Sequence, residues 1–346
     1  MQHIFSSNIF TNMDARLITT TTTQTQTLAG RTEPSRPPSS VQQALAVASK
    51  YRQRDSSKTW LAILADYVVI ACSISISRLA YNSSSIPTTV AILAHACAYL
   101  LIASRLRGFE NLLHEASHGN LFSNVREHDQ YQFLYAFPVW RTLEDYRSSH
   151  MRHHHKLGDP KDDPDVQRIQ YLGLDHISER PVWYLVGLPL TGFLTLEYLL
   201  TVVWEFITSP ASRFSKIIYC LSLSLLVYST NSFSILLNYY LVPLLLVLPT
   251  TRYWAEAAEH VGTDMTVSFG SSRNNIGFWQ QWLLHPHNDG FHALHHLHSQ
   301  VPFYLLPDAH ERLMEEVGEY KSKTVNSTGV LETFRQMTIN PTTFKT

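Results

Sequence analysis

The chain has 346 residues, of which 45% are hydrophobic, and its 27 lysines and arginines nearly balance 28 aspartates and glutamates. This balance implies neither a nucleic-acid partner nor an acidic one. The three cysteines, Cys72, Cys97 and Cys220, lie in apolar stretches and predict no disulfide framework and no thiolate site. Histidine is the outlier, with 18 residues.

Residues 1–58 are predicted to form a disordered polar tail. The stretch 11–40 is rich in Thr, Gln, Ser and Pro and short of large apolar side chains, so it cannot bury enough surface to fold. It also lacks the apolar core of a secretory signal peptide. A membrane domain is predicted over 59–315, followed by a C-terminal cytosolic tail over 316–346.

Two apolar segments of membrane length open the membrane domain. Residues 59–78 and 86–104 each approach the ~20 residues that a helix needs to cross a bilayer, and together they predict a helical hairpin. Lysines and arginines concentrate before the first segment and after the second, with only Arg78 between them. The positive-inside tendency therefore places the N-terminus in the cytosol.

Three further apolar segments follow, at 182–206, 217–229 and 234–250. Arg213, Lys216 and Arg252 favour a second hairpin from 217–229 and 234–250, turning near residues 230–232, with 182–206 lying in the membrane interface. The alternative is that 182–206 crosses the membrane and 217–250 forms one long crossing. The predicted fold class is all-α, a polytopic membrane protein with about four transmembrane helices in two hairpins and a cytosolic helical cap that holds a metal site.

Three histidine clusters dominate the polar part of the chain: HEASH at 114–118, HMRHH at 150–154 and HALHH at 292–296. Histidines three or four residues apart project from one helix face and can converge on one ion. The candidate ligands are His114, His118, His150, His153, His154, His292, His295 and His296. A zinc site takes about four ligands, so eight imidazoles predict two metal ions.

The clusters and their flanks resemble the integral-membrane fatty acid desaturase/hydroxylase family. The resemblance covers most of 60–315 and is carried by HEASHGNLF, YRSSHMRHHHKLGDPKDDPD and NDGFHALHHLHSQVPFYLLPDAHERL. It implies a diiron centre, with two Fe, that uses O2 and electrons to attack an unactivated C–H bond of an acyl chain. Nothing resembles the haem-binding HPGG element of a fused cytochrome b5 domain, so the electron donor is expected to be separate, such as cytochrome b5 or ferredoxin.

The resemblance also suggests residues outside the three clusters. AEHVG at 258–262 is similar to an E-H-x-G element of alkane hydroxylases and related desaturases, which makes His260 a ninth candidate ligand. Asp163, in the family-like run DDPD, is expected to accept a hydrogen bond from a ligating histidine. Asn288 matches a family N-x-x-x-H pattern and is expected to orient a ligand or to bind metal through water.

The preferred function is desaturation of a fatty acyl or acyl-like, even polyketide-derived, chain. A hydroxylase, ketolase or acetylenase of the same family is the first alternative, because sequence motifs do not separate these outcomes. HEASH alone also matches the H-E-x-x-H helix of a membrane zinc hydrolase, in which Glu115 would be the general base. A metal-binding membrane protein without catalytic activity is the third alternative. Endoplasmic reticulum is the expected membrane.

The remaining histidines are expected to lie outside the metal site. His95 is assigned a packing or hydrogen-bonding role within its apolar segment. His285 and His287 are interpreted as loop histidines that bind no metal. His3, His128, His176 and His310 have no metal-ligand spacing and are predicted to lie on the surface.

Overall fold

The computed structural model describes residues 39–345, which are mostly helical. The helices in chain order are α1 Ser40–Ala48, α2 Ser56–Asn82, α3 Thr88–Ser117, α4 Val125–Gln130, α5 Leu143–Lys156, α6 Pro164–Tyr171, α7 Trp183–Leu190, α8 Phe193–Thr208, α9 Arg213–Ser229, α10 Phe233–His260, α11 Phe278–Leu283, α12 His292–Leu297, α13 Leu306–Glu316, α14 Gly318–Lys323 and α15 Val330–Ile339. Two three-residue strands, β1 Arg273–Asn275 and β2 Val325–Ser327, form a small parallel sheet.

The described residues contain three helices that are long and apolar enough to cross a membrane, α2, α3 and α10. The helices α7 and α8 pass the same test together but meet at a bend of 71°, so there are four candidate spans if this pair is one. The predicted apolar segments 59–78 and 86–104 correspond to α2 and α3, which pack together and are both longer than predicted. The structure therefore confirms a mostly helical chain with apolar helices of membrane length.

The second set of apolar segments also forms helices, with a break where a turn was predicted. Helix α9 ends at Ser229 and α10 begins at Phe233. Between them, Asn231 has a φ of 49°, in the left-handed region that asparagine tolerates better than most residues. The alternative of one long crossing over 217–250 is wrong, because the helix is interrupted at this turn.

Helix α1 corrects the predicted disordered tail of 1–58. Ser39 and Gln42 form a reciprocal capping box at its start, and its alanines Ala44 and Ala48 are fully buried. The helix contacts α13, a tertiary contact that composition does not reveal. The prediction of disorder is thus wrong for 40–48, whereas residues 1–38 lie outside the described residues.

The C-terminal segment 316–346 is likewise not a tail over its described part. It forms α14, β2 and α15, and β2 pairs with β1 in the register Arg273↔Val325, Asn274↔Asn326 and Asn275↔Ser327. Arg273, which is fully buried, donates to the carbonyl oxygens of Ala258 (2.6 Å) and Val261 (2.9 Å) and to Oε1 of Gln336 (2.7 Å). The segment therefore closes the fold over the end of α10.

Three of the remaining histidines, His95, His128 and His310, lie within the packed helices. His95 forms hydrogen-bond contacts with the hydroxyl groups of Ser77 (2.9 Å) and Tyr99 (2.9 Å), which agrees with its predicted role. His128 and His310 are buried, so their predicted surface location is wrong. His128 accepts a hydrogen bond from the Phe122 backbone, and His310 contacts the hydroxyl group of Tyr320. Both stabilise the core with their ring nitrogens, a use that leaves no spacing pattern in the sequence.

Candidate metal centre

The first two histidines of the site, His114 and His118, lie at the C-terminal end of the apolar helix α3. Its residues 102–117 are all buried, and the helix ends with His118 as its C-terminal cap. His114 and His118 are four residues apart, so their rings lie on one face of the last turn. The polar extension of an apolar helix thus places both imidazoles beyond the predicted segment 86–104.

Helix α5 provides three histidines from one short polar helix. Thr142 caps its start by accepting a hydrogen bond from the Asp145 backbone. His150 and His154 share one face, whereas His153 is turned by about 100° from His154 because an α-helix has 3.6 residues per turn. A single helix can therefore serve two neighbouring metal positions.

Helix α12 and the end of α10 provide the remaining four. Oδ1 of Asn274 in β1 accepts hydrogen bonds from the backbone nitrogens of Ala293 (2.9 Å) and Leu294 (3.4 Å). These two amides lie in the first turn of α12, where backbone donors have no partner within the helix. The strand therefore fixes the start of the helix that carries His292, His295 and His296, while His260 is the last residue of α10.

The nine predicted histidines separate into two groups whose Nε2 atoms converge. The first group consists of His114, His118, His150, His154 and His295. In it, Nε2 of His114 lies 2.8 Å from that of His295, and Nε2 of His118 lies 2.8 Å from that of His150. Nε2 of His154 lies 3.0 Å from that of His150 and 3.1 Å from that of His295.

The second group consists of His153, His260, His292 and His296. Nε2 of His292 lies 3.1 Å from the Nε2 atoms of both His260 and His296. Nε2 of His153 lies 3.2 Å from that of His296. The ninth candidate, His260, which came from a four-residue resemblance, thus lies among the others.

These separations fit imidazoles that surround a metal ion. With a metal–nitrogen bond of about 2.1 Å, ligands at right angles are about 3.0 Å apart and tetrahedral ligands about 3.4 Å apart. The observed spacings of 2.8–3.2 Å lie nearer to the right-angled arrangement. The five histidines of the first group also exceed the four ligands that a structural zinc ion takes.

The outer ring nitrogens support the same interpretation. Nδ1 of His114 lies 2.6 Å from Oδ1 of Asp289, and Nδ1 of His153 lies 2.8 Å from Oδ1 of Asp163. Nδ1 of His260 lies 3.2 Å from the carbonyl oxygen of Ser271. A proton on Nδ1 satisfies each of these acceptors and leaves the lone pair of Nε2 free for a metal ion.

Asp163 is the acceptor that the sequence predicted. It is fully buried and also caps helix α6, accepting from the backbone nitrogen of Asp165 at 2.9 Å. Burial acts to raise the pKa of this carboxyl, but the hydrogen bond and charge of His153 and the hydrogen bond from Gly158 outweigh it and lower the pKa. Asp163 is therefore an anionic acceptor with one oxygen directed at the His153 ring.

Asp289 is the acceptor that the sequence analysis missed. The neighbouring Asn288 was chosen instead, but its amide donates to the carbonyl oxygen of Phe303 at 3.0 Å. Asp289 is buried, and although burial acts to raise its pKa, His114, His285 and Arg107 hold the pKa well below its usual range. The sequence signal that could have identified Asp289 as the acceptor was its place beside Asn288 in the motif NDGFH.

A second unforeseen feature is a buried cluster of Glu259, His285 and Asp289. His285 was interpreted as a loop histidine, yet it is fully buried, with Nδ1 3.5 Å from Glu259 and 4.0 Å from Asp289. Nη2 of Arg107 lies 3.6 Å from Glu259 and 3.5 Å from Asp289. Because Arg107 already supplies a cation, the cluster is better described as an ion-pair network than as a further metal site.

Glu115 of the HEASH motif has structural partners. Its Oε2 accepts hydrogen bonds from the backbone nitrogen of Phe303 (2.9 Å) and from Nδ2 of Asn120 (3.2 Å), and the residue is buried. A general base of a zinc hydrolase needs a carboxylate that reaches a metal-bound water. The observed contacts tie Glu115 to the segment after α12 instead and disfavour the hydrolase alternative.

Comparison with known proteins agrees with this geometry. The fatty acid desaturase family model matches residues 89–326, a range that includes all nine clustered histidines. The chain therefore belongs to the fatty acid desaturase family and is a desaturase-type oxidoreductase. A curated relative, dihydrorhizobitoxine desaturase from Bradyrhizobium elkanii, is 28% identical over 242 residues, which are 65% of this chain and 69% of that protein.

Proposed function

We propose that the protein is a membrane diiron desaturase that uses O2 to introduce a carbon–carbon double bond into a fatty acyl or acyl-like chain, including a polyketide-derived one. The observation that carries the proposal is the convergence of nine Nε2 atoms into two adjacent groups. Imidazole ligands suit iron, and two redox-active ions beside each other suit chemistry on O2. Family membership supports the reaction type.

The reaction is written as R–CH2–CH2–R′ + O2 + 2 electrons + 2 H+ giving R–CH=CH–R′ + 2 H2O. Two C–H bonds break, one C–C π bond forms and O2 is reduced to water. When bound, the iron pair supplies O2 activation and accepts the electrons of a separate donor, such as cytochrome b5 or ferredoxin. The chain's own residues hold the site: Asp163 and Asp289 fix two ring orientations, and Asn274 holds helix α12.

The proposed location is the endoplasmic reticulum membrane, with the N-terminus and both histidine groups on the cytosolic side. In this arrangement α2 and α3 form one hairpin and α9 and α10 the second, while the bent pair α7 and α8 lies in the interface. The distribution of basic residues around these helices supports the orientation. The 71° bend supports an interfacial path for at least part of the α7–α8 pair.

Metal content tests the proposal. Protein purified in detergent from iron-replete cells is compared with His295→Ala, from the five-histidine group, His296→Ala, from the four-histidine group, and His155→Ala. His155 is adjacent to the second cluster but exposed, which makes it a matched control. We expect about two irons per chain in the wild type and the control, and loss of iron in each of the other variants.

Product analysis completes the test. Mass spectrometry of cells that express wild-type protein or His295→Ala should show a product lacking two hydrogens only with the wild type. A product that gains an oxygen atom instead would assign the hydroxylase alternative. A single zinc per chain, retained in His295→Ala, would contradict the diiron proposal. It would favour the zinc hydrolase alternative, in which Glu115 is the general base.

A further inference from the structure

A small, partly open cavity of about 90 Å³ lies directly beside the histidine groups. His114 and His150 of the first group and His292 of the second contribute to its wall. None of the residues that line it is aliphatic. Three of them are arginines, Arg107, Arg141 and Arg252, and four are acidic, namely Asp165, Glu256, Glu259 and Asp289. A molecule in this cavity would contact both histidine groups and a strongly polar wall.

The three arginines differ in how fully they are paired. Arg107 faces three carboxylates, with Glu110 at 3.2 Å, Asp289 at 3.5 Å and Glu259 at 3.6 Å. Its charge is therefore compensated within the protein. The carboxylates of Asp289 and Glu259 lie within ion-pair distance of Arg107 and make no such contact with Arg141 or Arg252 in the part of the chain that the structure describes.

Arg141 has the least compensated charge of the three. Its side chain is only 13% exposed, and within residues 39–345 its guanidinium group makes no hydrogen bond. The carboxylate of Glu110 is 3.9 Å from Nε, and the ring of Tyr146 lies beneath the guanidinium carbon at 5.4 Å. A largely buried cation without a hydrogen-bonded partner is costly, and a bound anion would offset this cost.

Arg252 adds a second set of donors to the same cavity. Its Nε donates to Glu256 at 2.6 Å, whereas its two terminal nitrogens make no hydrogen bond to the residues that the structure describes. Glu256 is also paired with Arg168, so its charge is shared between two arginines. Arg141 and Arg252 thus present unused guanidinium donors, and such donors match the two oxygens of a carboxylate.

The volume limits what the cavity itself can hold. At roughly 15 Å³ for each water-sized group, a cavity of 90 Å³ holds about six such groups. This is enough for a carboxylate and a few carbons, and any longer part of a ligand would extend out of the cavity. The cavity therefore fits the anionic end of a substrate.

We propose that the substrate carries a free carboxylate, held by Arg141 and Arg252 beside the histidine groups, and that the bond to be desaturated lies a few carbons from it. This inference rests on the proposed function and names its substrate class. It departs from a thioester or phospholipid substrate, because neither has a free carboxylate at the end of its acyl chain. The two arginines are binding and positioning residues that need no chemical change in the reaction.

Binding of simple acids by the iron-loaded protein in detergent tests the proposal. The probes are straight-chain carboxylates from acetate to octanoate, each compared with its neutral amide, and affinity is followed by calorimetry and by the absorption spectrum of the bound iron. At least one carboxylate should bind, with its amide at least tenfold weaker. Arg141→Gln should weaken carboxylate binding about 10- to 100-fold, since it removes charge-assisted hydrogen bonds.

Matched variants keep the result interpretable. Arg152→Gln removes an exposed arginine from α5 and should leave carboxylate affinity unchanged. If Arg141→Gln does not fold, Arg141→Lys and Arg252→Gln take its place, and the comparison of acid with amide needs no variant. Equal affinity for acid and amide, no binding of any carboxylate, or unchanged affinity in the folded arginine variants would overturn the proposal.

Iron content of the same samples separates the two proposals. Two irons per chain without carboxylate binding would refute the substrate class and leave the diiron desaturase standing. Absence of iron would refute the proposed function itself.

Discussion

At the scale of single residues, carboxylates decide which nitrogen of a histidine faces the metal position. Asp163 and Asp289 each accept at Nδ1 of one histidine and so direct Nε2 inward. Asp163 was predictable because it lies in a motif next to the second cluster. Asp289 was not distinguished from Asn288, because the choice depends on a backbone turn in which His287 and Asn288 both have positive φ.

Asp163→Asn isolates the effect of one such carboxylate. Asparagine caps a helix as well as aspartate does, so α6 should persist, while the anionic partner of His153 is lost. We expect iron binding at the four-histidine group to weaken 10- to 100-fold, so that at limiting iron the content falls toward one per chain. Metal analysis across an iron titration gives this value.

Asp162→Asn provides the control for Asp163→Asn. The two residues are adjacent, but the Asp162 side chain is 56% exposed and pairs with Lys156 on the surface. Its substitution should leave both irons in place. Equal iron titrations for both variants and the wild type would show that the Asp163 carboxylate does not support the site.

At the scale of elements, the helix that completes the site depends on a strand outside the histidine motif. The start of α12 is held by Asn274 of β1, and β1 pairs with β2, which follows α12 and lies near the C-terminus. The sequence could predict the helical spacing of HALHH but not this support. Three-residue strands have no periodicity of their own, and their pairing is visible only in the fold.

The same limit explains the other elements that differ from prediction. Helix α1 is stabilised by contact with α13, and the polar composition around it suggests disorder. Gly192 lies in the bend between α7 and α8, and its φ of 76° is readily adopted only by glycine. Long apolar helices and histidine spacing are local patterns, so the sequence predicted them, whereas these features depend on distant contacts or on one backbone angle.

Asn274→Ala should affect both histidine groups at once. It leaves the backbone nitrogens of Ala293 and Leu294 buried without an acceptor, at a cost of about 1–3 kcal/mol. Because α12 contributes to both groups, we expect a lower thermal unfolding midpoint and a loss of both irons, in contrast to the single loss in Asp163→Asn. Asn340→Ala, which changes an exposed cap of α15, should do neither. Two retained irons and an unchanged midpoint in Asn274→Ala would contradict the assigned support.

At the scale of the whole molecule, the proposed orientation is testable through two N-glycosylation sequences. In the proposed orientation, Asn82-Ser83-Ser84, at the end of α2, would lie on the side opposite the histidine groups, whereas Asn326-Ser327-Thr328 would lie on their side. In eukaryotic microsomes, an enzyme that removes N-glycans should change the gel mobility of the wild type and Asn326→Gln but not of Asn82→Gln. A glycan lost only in Asn326→Gln would reverse the assigned orientation.

The dependence of both histidine groups on α12 has a consequence for biosynthesis. His114 and His295, which converge in the first group, are 181 residues apart, so a ribosome makes the first long before the second. Until α12 emerges, the first group already offers four imidazoles, the number that a zinc ion takes, whereas the second offers only His153 and His260. In the nascent chain the first group therefore has four of its five imidazoles before any residue of α12 is made, whereas the second group has only two of its four.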